Sequence, residues 1–168
     1  SLDFSTEGNT QRLWISKLAT NGNVTNQIVT KDAGAIFALA STKDGSVFAA
    51  GRLIQKGSDS DIHSDAIIVK LDRDLKEQKR QINGTGNNEE EYFKDITVDG
   101  QNIITLGVQN QKTYVTKLDS ELNKTSEKLI DVSNLIPQAL TGNGSTFYIA
   151  GKTPGSLSKR DLATVRVN

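Results

Sequence analysis

The sequence predicts an all-β chain of tandem four-stranded antiparallel units, and three observations predict it. A six-residue segment with a basic residue at its fifth place recurs at 13–18, 66–71, 113–118 and 162–167. Its anchors Lys17, Lys70, Lys117 and Arg166 are spaced by 53, 47 and 49 residues. A second landmark, a turn followed by an apolar run ending in glycine, recurs in step with the first at 44–51, 99–107 and 142–151. Its Asp-Gly and Asn-Gly pairs supply the positive φ angles that tight hairpins need. Lastly, the apolar residues fall in short β-branched runs and not at helical spacing.

The elements follow in order. Residues 1–32 supply the closing strands of a partial first unit. The second unit, 33–90, runs through apolar strands at 36–39 and 47–50, a Lys-Leu strand at 66–71 and a polar strand at 76–81. That last strand suits an outer edge, with one wet face and a row of backbone groups to protect. The third unit, 91–134, divides into strands 92–98, 102–108, 113–118 and 124–130. A brief helical turn is expected at 132–135, capped by Asp131 or Ser133. The fourth, 135–168, lacks its outer strand. The most apolar strands, 36–39, 47–50, 103–104 and 147–150, are expected nearest the centre. Trp14, which recurs as Ile67 and Tyr114, is expected to pack between units.

A return of the basic anchor every 47 to 53 residues, with the second landmark recurring in the same order, lies near the period of β-propeller blades and is unexplained by a β-sandwich. The expected architecture is therefore one domain of about three and a half propeller blades over residues 1–168. Closed propellers have four to eight blades. Either the chain is part of a larger propeller, or two copies form a homodimer that completes one ring and covers apolar blade faces.

The pattern of an Asp-Gly turn, an apolar run to Ala-Gly, and a downstream strand ending in Lys/Arg-Leu resembles the β-propeller repeats found in tandem in secreted and cell-surface bacterial proteins. Residues 44–51 with 65–72, and 143–151 with 161–168, carry the resemblance. The middle unit departs from it with Lys112 where the others have Asp65 and Asp161, and the first has Arg12 there. The resemblance implies an extracellular or periplasmic setting and a binding role.

Bulk chemistry excludes several classes. Twenty basic and twenty acidic side chains cancel, which disfavours a duplex nucleic-acid surface. Without cysteine there are no disulfides, thiolate metal sites or cysteine nucleophiles. No apolar run approaches the roughly 20 residues of a membrane helix, so membrane insertion is not expected. A chain that starts at Ser1 and has no methionine is expected to be a processed or excised segment. Phosphate-loop and nucleophile-elbow motifs are absent.

Loop lengths point to a binding face. The tight turns emerge on one side of each unit, whereas the longer links at 53–64, 83–91, 133–137 and 153–160 emerge together on the other. Binding residues concentrate on such loops over a rigid scaffold. Within them Asp59, Asp61, His63 and Asp65 alternate, in the manner of a calcium loop's opening. Asp59, Asp61 and Asp65 would be its oxygen ligands. Ser64 replaces the loop glycine and Lys70 the bidentate glutamate, so the competing reading is a solvated loop. Glu89, Glu90 and Glu91 form a carboxylate run, either a ligand-binding cluster or a solvated face. The expected function is a non-enzymatic binding or scaffold domain, engaging a protein or polysaccharide through the long-loop face. A glycan hydrolase on the same scaffold and a calcium-stabilised structural module are the alternatives, with no cofactor expected beyond calcium.

Overall fold

Twelve antiparallel strands form three sheets in the computed structural model, which describes residues 11–56, 62–84, 90–143, 146–154 and 160–167. The first sheet is β1 (Arg12–Leu18), β2 (Val24–Ser41), β3 (Val47–Lys56), β4 (Ile62–Leu71) and β5 (Glu77–Asn83), in that order. The second holds β6 (Tyr92–Asp99), β7 (Asn102–Gln109), β8 (Lys112–Leu118) and β9 (Lys124–Ile130). The third holds β10 (Ile136–Asn143), β11 (Thr146–Pro154) and β12 (Arg160–Val167). Among the described residues there is no helix, and so none long and apolar enough to cross a membrane.

Both sequence landmarks coincide with backbone irregularities. Gly51, Gly107 and Gly151 each stand where the facing strand is bulged, between Ile36 and Ala38, Phe93 and Asp95, and Pro137 and Ala139. A bulge pushes the partner strand's backbone toward its neighbour. At Gly51 a Cβ would collide with the Ala35 carbonyl oxygen, and at Gly151 it would lie 2.6 Å from that of Ile136. The Lys-Leu pairs mark a second irregularity: the register shifts between Lys17 and Leu18, Lys70 and Leu71, and Lys117 and Leu118. The turn that follows is the same each time. Ala19, Asp72 and Asp119 donate their N–H to the carbonyls of Asn23, Lys76 and Asn123. The fourth turn residue is left-handed in all three, with φ of 85° at Gly22 and 61° at Leu75 and Leu122. Two leucines accept that backbone because their side chains close hydrophobic clusters.

Alternation of side chains sends the apolar residues of the first and second sheets each to two different clusters. Ala49, Ile67, Val69 and Leu71 pack on Leu13 and Ile15 of β1, while Phe48, Ala50, Ala66 and Ile68 pack on Phe93, Ile96 and Ile103 of the second sheet. Ile104, Leu106 and Val115 then pack on Leu140 and Ile149 of the third. Polar ties cross the same boundaries. Lys17 Nζ donates to the Arg73 carbonyl at 2.8 Å, Lys70 Nζ to Glu121 Oε1 at 2.8 Å, and the Leu140 N–H to Asp95 Oδ2 at 2.6 Å. The recurring lysine of β1 and β4 thus holds the turn of the next unit along the chain.

Several expectations are corrected. The closing strand of the first unit and the opening strand of the second are one continuous strand, β2, which pairs with β1 through Ala33 and with β3 from Gly34 onward. Phe37 and Leu39 are exposed despite lying in one of the most apolar runs, because apolar content alone does not choose between the two faces of a strand. Trp14 is 58% exposed, since it faces away from β3–β5 and no described residue covers that side. Residues 131–135 form a turn with Asn134 at φ 55°, not a helical turn. The link from β7 to β8 is tight: Asn110 and Gln111 both take positive φ, as a two-residue hairpin requires.

Candidate functional site

The strands β3 and β4 extend further than their hydrophobic pattern suggests and draw most of the 53–64 link into paired backbone. His63 and Asp65 are therefore strand residues, opposite Gln55 and Leu53. Asp65 is buried, its Oδ2 accepts from Gln55 Nε2 at 2.7 Å, and Gly84 lies against its carboxylate with no room for a Cβ. An acid already held by a neighbouring amide on its own sheet acts as a local strut. The buried Nδ1 of His63 and Oγ of Ser64 have no partner among the described residues. Asp59, Asp61 and Glu89 lie outside the described residues. Among the described residues no three His, Cys, Asp or Glu side chains gather to hold a metal.

The acidic run divides between two environments. Glu90 is exposed and bridges in parallel to Ser64, and the Glu91 N–H donates to the Ser64 carbonyl at 2.9 Å. These contacts clamp the returning chain to the start of β4. They turn the Glu91 side chain inward to 3% exposure, where Gln109 Nε2 donates to its Oε1 at 3.0 Å. A solvated surface run does not describe this residue. Sequence order hides its burial, because the burying partners come from β4 and β7.

Glu91 borders a cleft of about 320 Å³ between the outer strands of the first sheet and the second sheet. One wall is Ile82, Asn83 and Gly84 at the end of β5, and the other is Tyr114 and Thr116 of β8 with Lys124 and Glu127 of β9. Tyr92, Phe93 and Gln109 line it at the long-loop end. It exists because the two sheets meet chiefly through β6, which touches β2, β3 and β4. The outer strands are left apart, as in a wedge. Within it Thr116 Oγ1 donates to Glu127 Oε2 at 3.0 Å, and Lys124 Nζ pairs with Glu127 Oε1 at 3.2 Å. Burial, together with the charge of Glu90, pushes the Tyr92 phenol above its ordinary pKa, so it stays a neutral hydroxyl at physiological pH. The Tyr92 ring meets Phe37 edge to face at 6.0 Å, and Lys94 and Arg52 stand over the Phe37 ring at 5.5 and 5.9 Å. This fixes the ring's orientation.

Of the residues singled out from the sequence, Glu91 lines this cleft and Asp65 supports it through Gly84. Tyr92, Tyr114, Asn83 and Gln109 carry no sequence signal except position. Tyr92 follows the acidic run, and Tyr114 takes the place of Trp14 and Ile67 in the Lys-Leu strand.

No protein-family model and no curated protein matches the chain. Among solved structures it is similar to a protein of unknown function from Bacteroides caccae, with a TM-score of 0.55 and 9% sequence identity. The match covers 95% of this chain and 59% of that one, so the chain spans under two thirds of that neighbour's length. At such identity the likeness speaks for the fold alone.

Proposed function

We propose that the β1–β2 hairpin, the rest of the first sheet, the second sheet and the third sheet are successive blades of a β-propeller, and that the chain is a non-catalytic polysaccharide-binding domain. The setting that suits it is extracellular or periplasmic, where such a ligand would be met. The cleft between β5 and β8–β9 carries this reading. Its volume of about 320 Å³ lies at the lower end of small-ligand sites, the size of one or two sugar rings. Tyr92 and Tyr114 offer aromatic surface in its lining, and Glu91, Glu127, Asn83 and Gln109 offer acceptors and amide donors beside them. A sugar presents hydroxyls that both donate and accept beside apolar C–H faces, and this mixture complements it. A protein partner would need a broad surface with a well-packed apolar centre, not a narrow polar wedge. Glu127 is already engaged by Lys124 and Thr116, an arrangement suited to orienting hydroxyls.

The test is a titration of neutral oligosaccharides of varied linkage against the chain and against Tyr92→Ala and Tyr114→Ala. Each substitution is expected to raise Kd about tenfold, equivalent to ~1.4 kcal/mol. Failure of every oligosaccharide to bind at millimolar concentration, or binding unaffected by both substitutions, would refute the reading.

A further inference from the structure

Two sheet faces remain uncovered among the described residues, and they are of opposite kinds. On the β1–β2 hairpin, Trp14 pairs with Val29 and Leu18 with Val24, so all four project from one side, and each is more than half exposed. By register Trp14 and Leu18 correspond to Ile67 and Leu71 in β4. That pair is fully buried where the preceding strands cover them. At the other end, Tyr148 of β11 and Ala139 of β10 are exposed beside Ala150. They correspond to Phe48, Ala38 and Ala50, which are covered by the second sheet. The molecule thus buries a forward face against a backward face at each internal boundary, and leaves one of each kind open at its ends.

We propose that the two open faces bind each other between copies of this chain, the β1–β2 hairpin of one copy packing on the β10–β12 sheet of a second. The proposal rests on the blade reading above and not on the saccharide cleft. Continuity with the internal boundaries argues for it twice. The apolar complement is of the type just described, and the backbone positions of the polar latch recur as well. Arg166 stands opposite Tyr148 in the strand register, as Lys70 stands opposite Phe48. The turn of residues 19–23 repeats the backbone hydrogen bonds of the turn whose Arg73 carbonyl receives Lys17. In strand register Arg166 of one copy therefore stands at the position that Lys17 and Lys70 hold at the internal boundaries, and the turn of residues 19–23 of the other copy at the position of the turns they meet. A contact of unlike faces is heterologous, so it closes into a ring or extends, according to the rotation between copies.

The experiment is sedimentation equilibrium of the whole chain from about 1 to 200 μM, spanning the affinities of ordinary interfaces. It is read beside the emission of Trp14, the single tryptophan. Association to twice the monomer mass or more, with a blue shift of Trp14, is expected. Trp14→Glu and Tyr148→Glu should each abolish it. Both residues are exposed in the single chain, so the urea midpoint of each variant should stay within error of the parent's under monomeric conditions. An equimolar mixture of the two variants retains one intact face of each kind and should form a heterodimer. A parent chain that stays monomeric throughout overturns the proposal, as does a Tyr148→Glu variant that still dimerises. A monomer with a single cooperative unfolding transition would remove the association and leave the blade reading standing.

Discussion

Leu122→Ala tests whether the left-handed turn leucines are structural wedges. Leu122 takes φ 61° and is 2% exposed, closing the cluster that joins the first and second sheets. Substitution by alanine removes three carbon groups at ~0.8 kcal/mol each and leaves a partly collapsed cavity, so the expected loss is about 2–4 kcal/mol. Leu122→Gly removes one carbon more, worth ~0.8 kcal/mol, but releases a left-handed strain of roughly 1 kcal/mol that alanine keeps. The two terms cancel. Glycine and alanine are therefore expected to be equally destabilising here within ~0.5 kcal/mol, whereas in strand interiors glycine is the worse. The assay is equilibrium urea unfolding followed by far-ultraviolet circular dichroism. A Leu122→Ala loss below ~0.5 kcal/mol, or a glycine variant more than ~1 kcal/mol worse than alanine, would refute the argument.

Two further expectations concern the turns and the bulges. Asp72 is held below the usual carboxylate value of 3.8 chiefly by the Lys76 N–H, and Asp119 chiefly by the Asn123 side chain and then its N–H. A depressed folded-state pKa contributes stability that is present above the unfolded value and lost as pH falls through the folded one. The urea midpoint should thus stay level between about pH 7 and 5 and fall below about pH 4, and Asp72→Asn with Asp119→Asn should flatten that acid limb. Gly51→Ala should cost at least ~1 kcal/mol more than Gly107→Ala in urea unfolding, because the obstacle at Gly51 is the Ala35 backbone whereas at Gly107 the nearest atom belongs to the Phe93 ring. Equal losses at the two positions would show that it does not matter whether the obstacle is fixed backbone or a ring that can yield.

Local backbone demands were legible in the sequence. Gly51, Gly107 and Gly151 recur because each faces a bulge, and Lys-Leu recurs because the register shifts between those two residues; such demands act within one sheet and stamp themselves on residue type. The boundaries of β6 to β9 could be read nearly to the residue for the same reason. Burial was another matter. Phe37, Leu39 and Trp14 are as apolar as Phe48 and Ile67, yet they are exposed, because which side of a strand is covered depends on strands distant in the chain. Glu91 was noticed as part of an acidic run, but its inward turn needed Ser64 and Gln109 brought beside it. The cleft itself belongs to no segment: it is the space left where two sheets joined at β6 spread apart, and only their packing creates it.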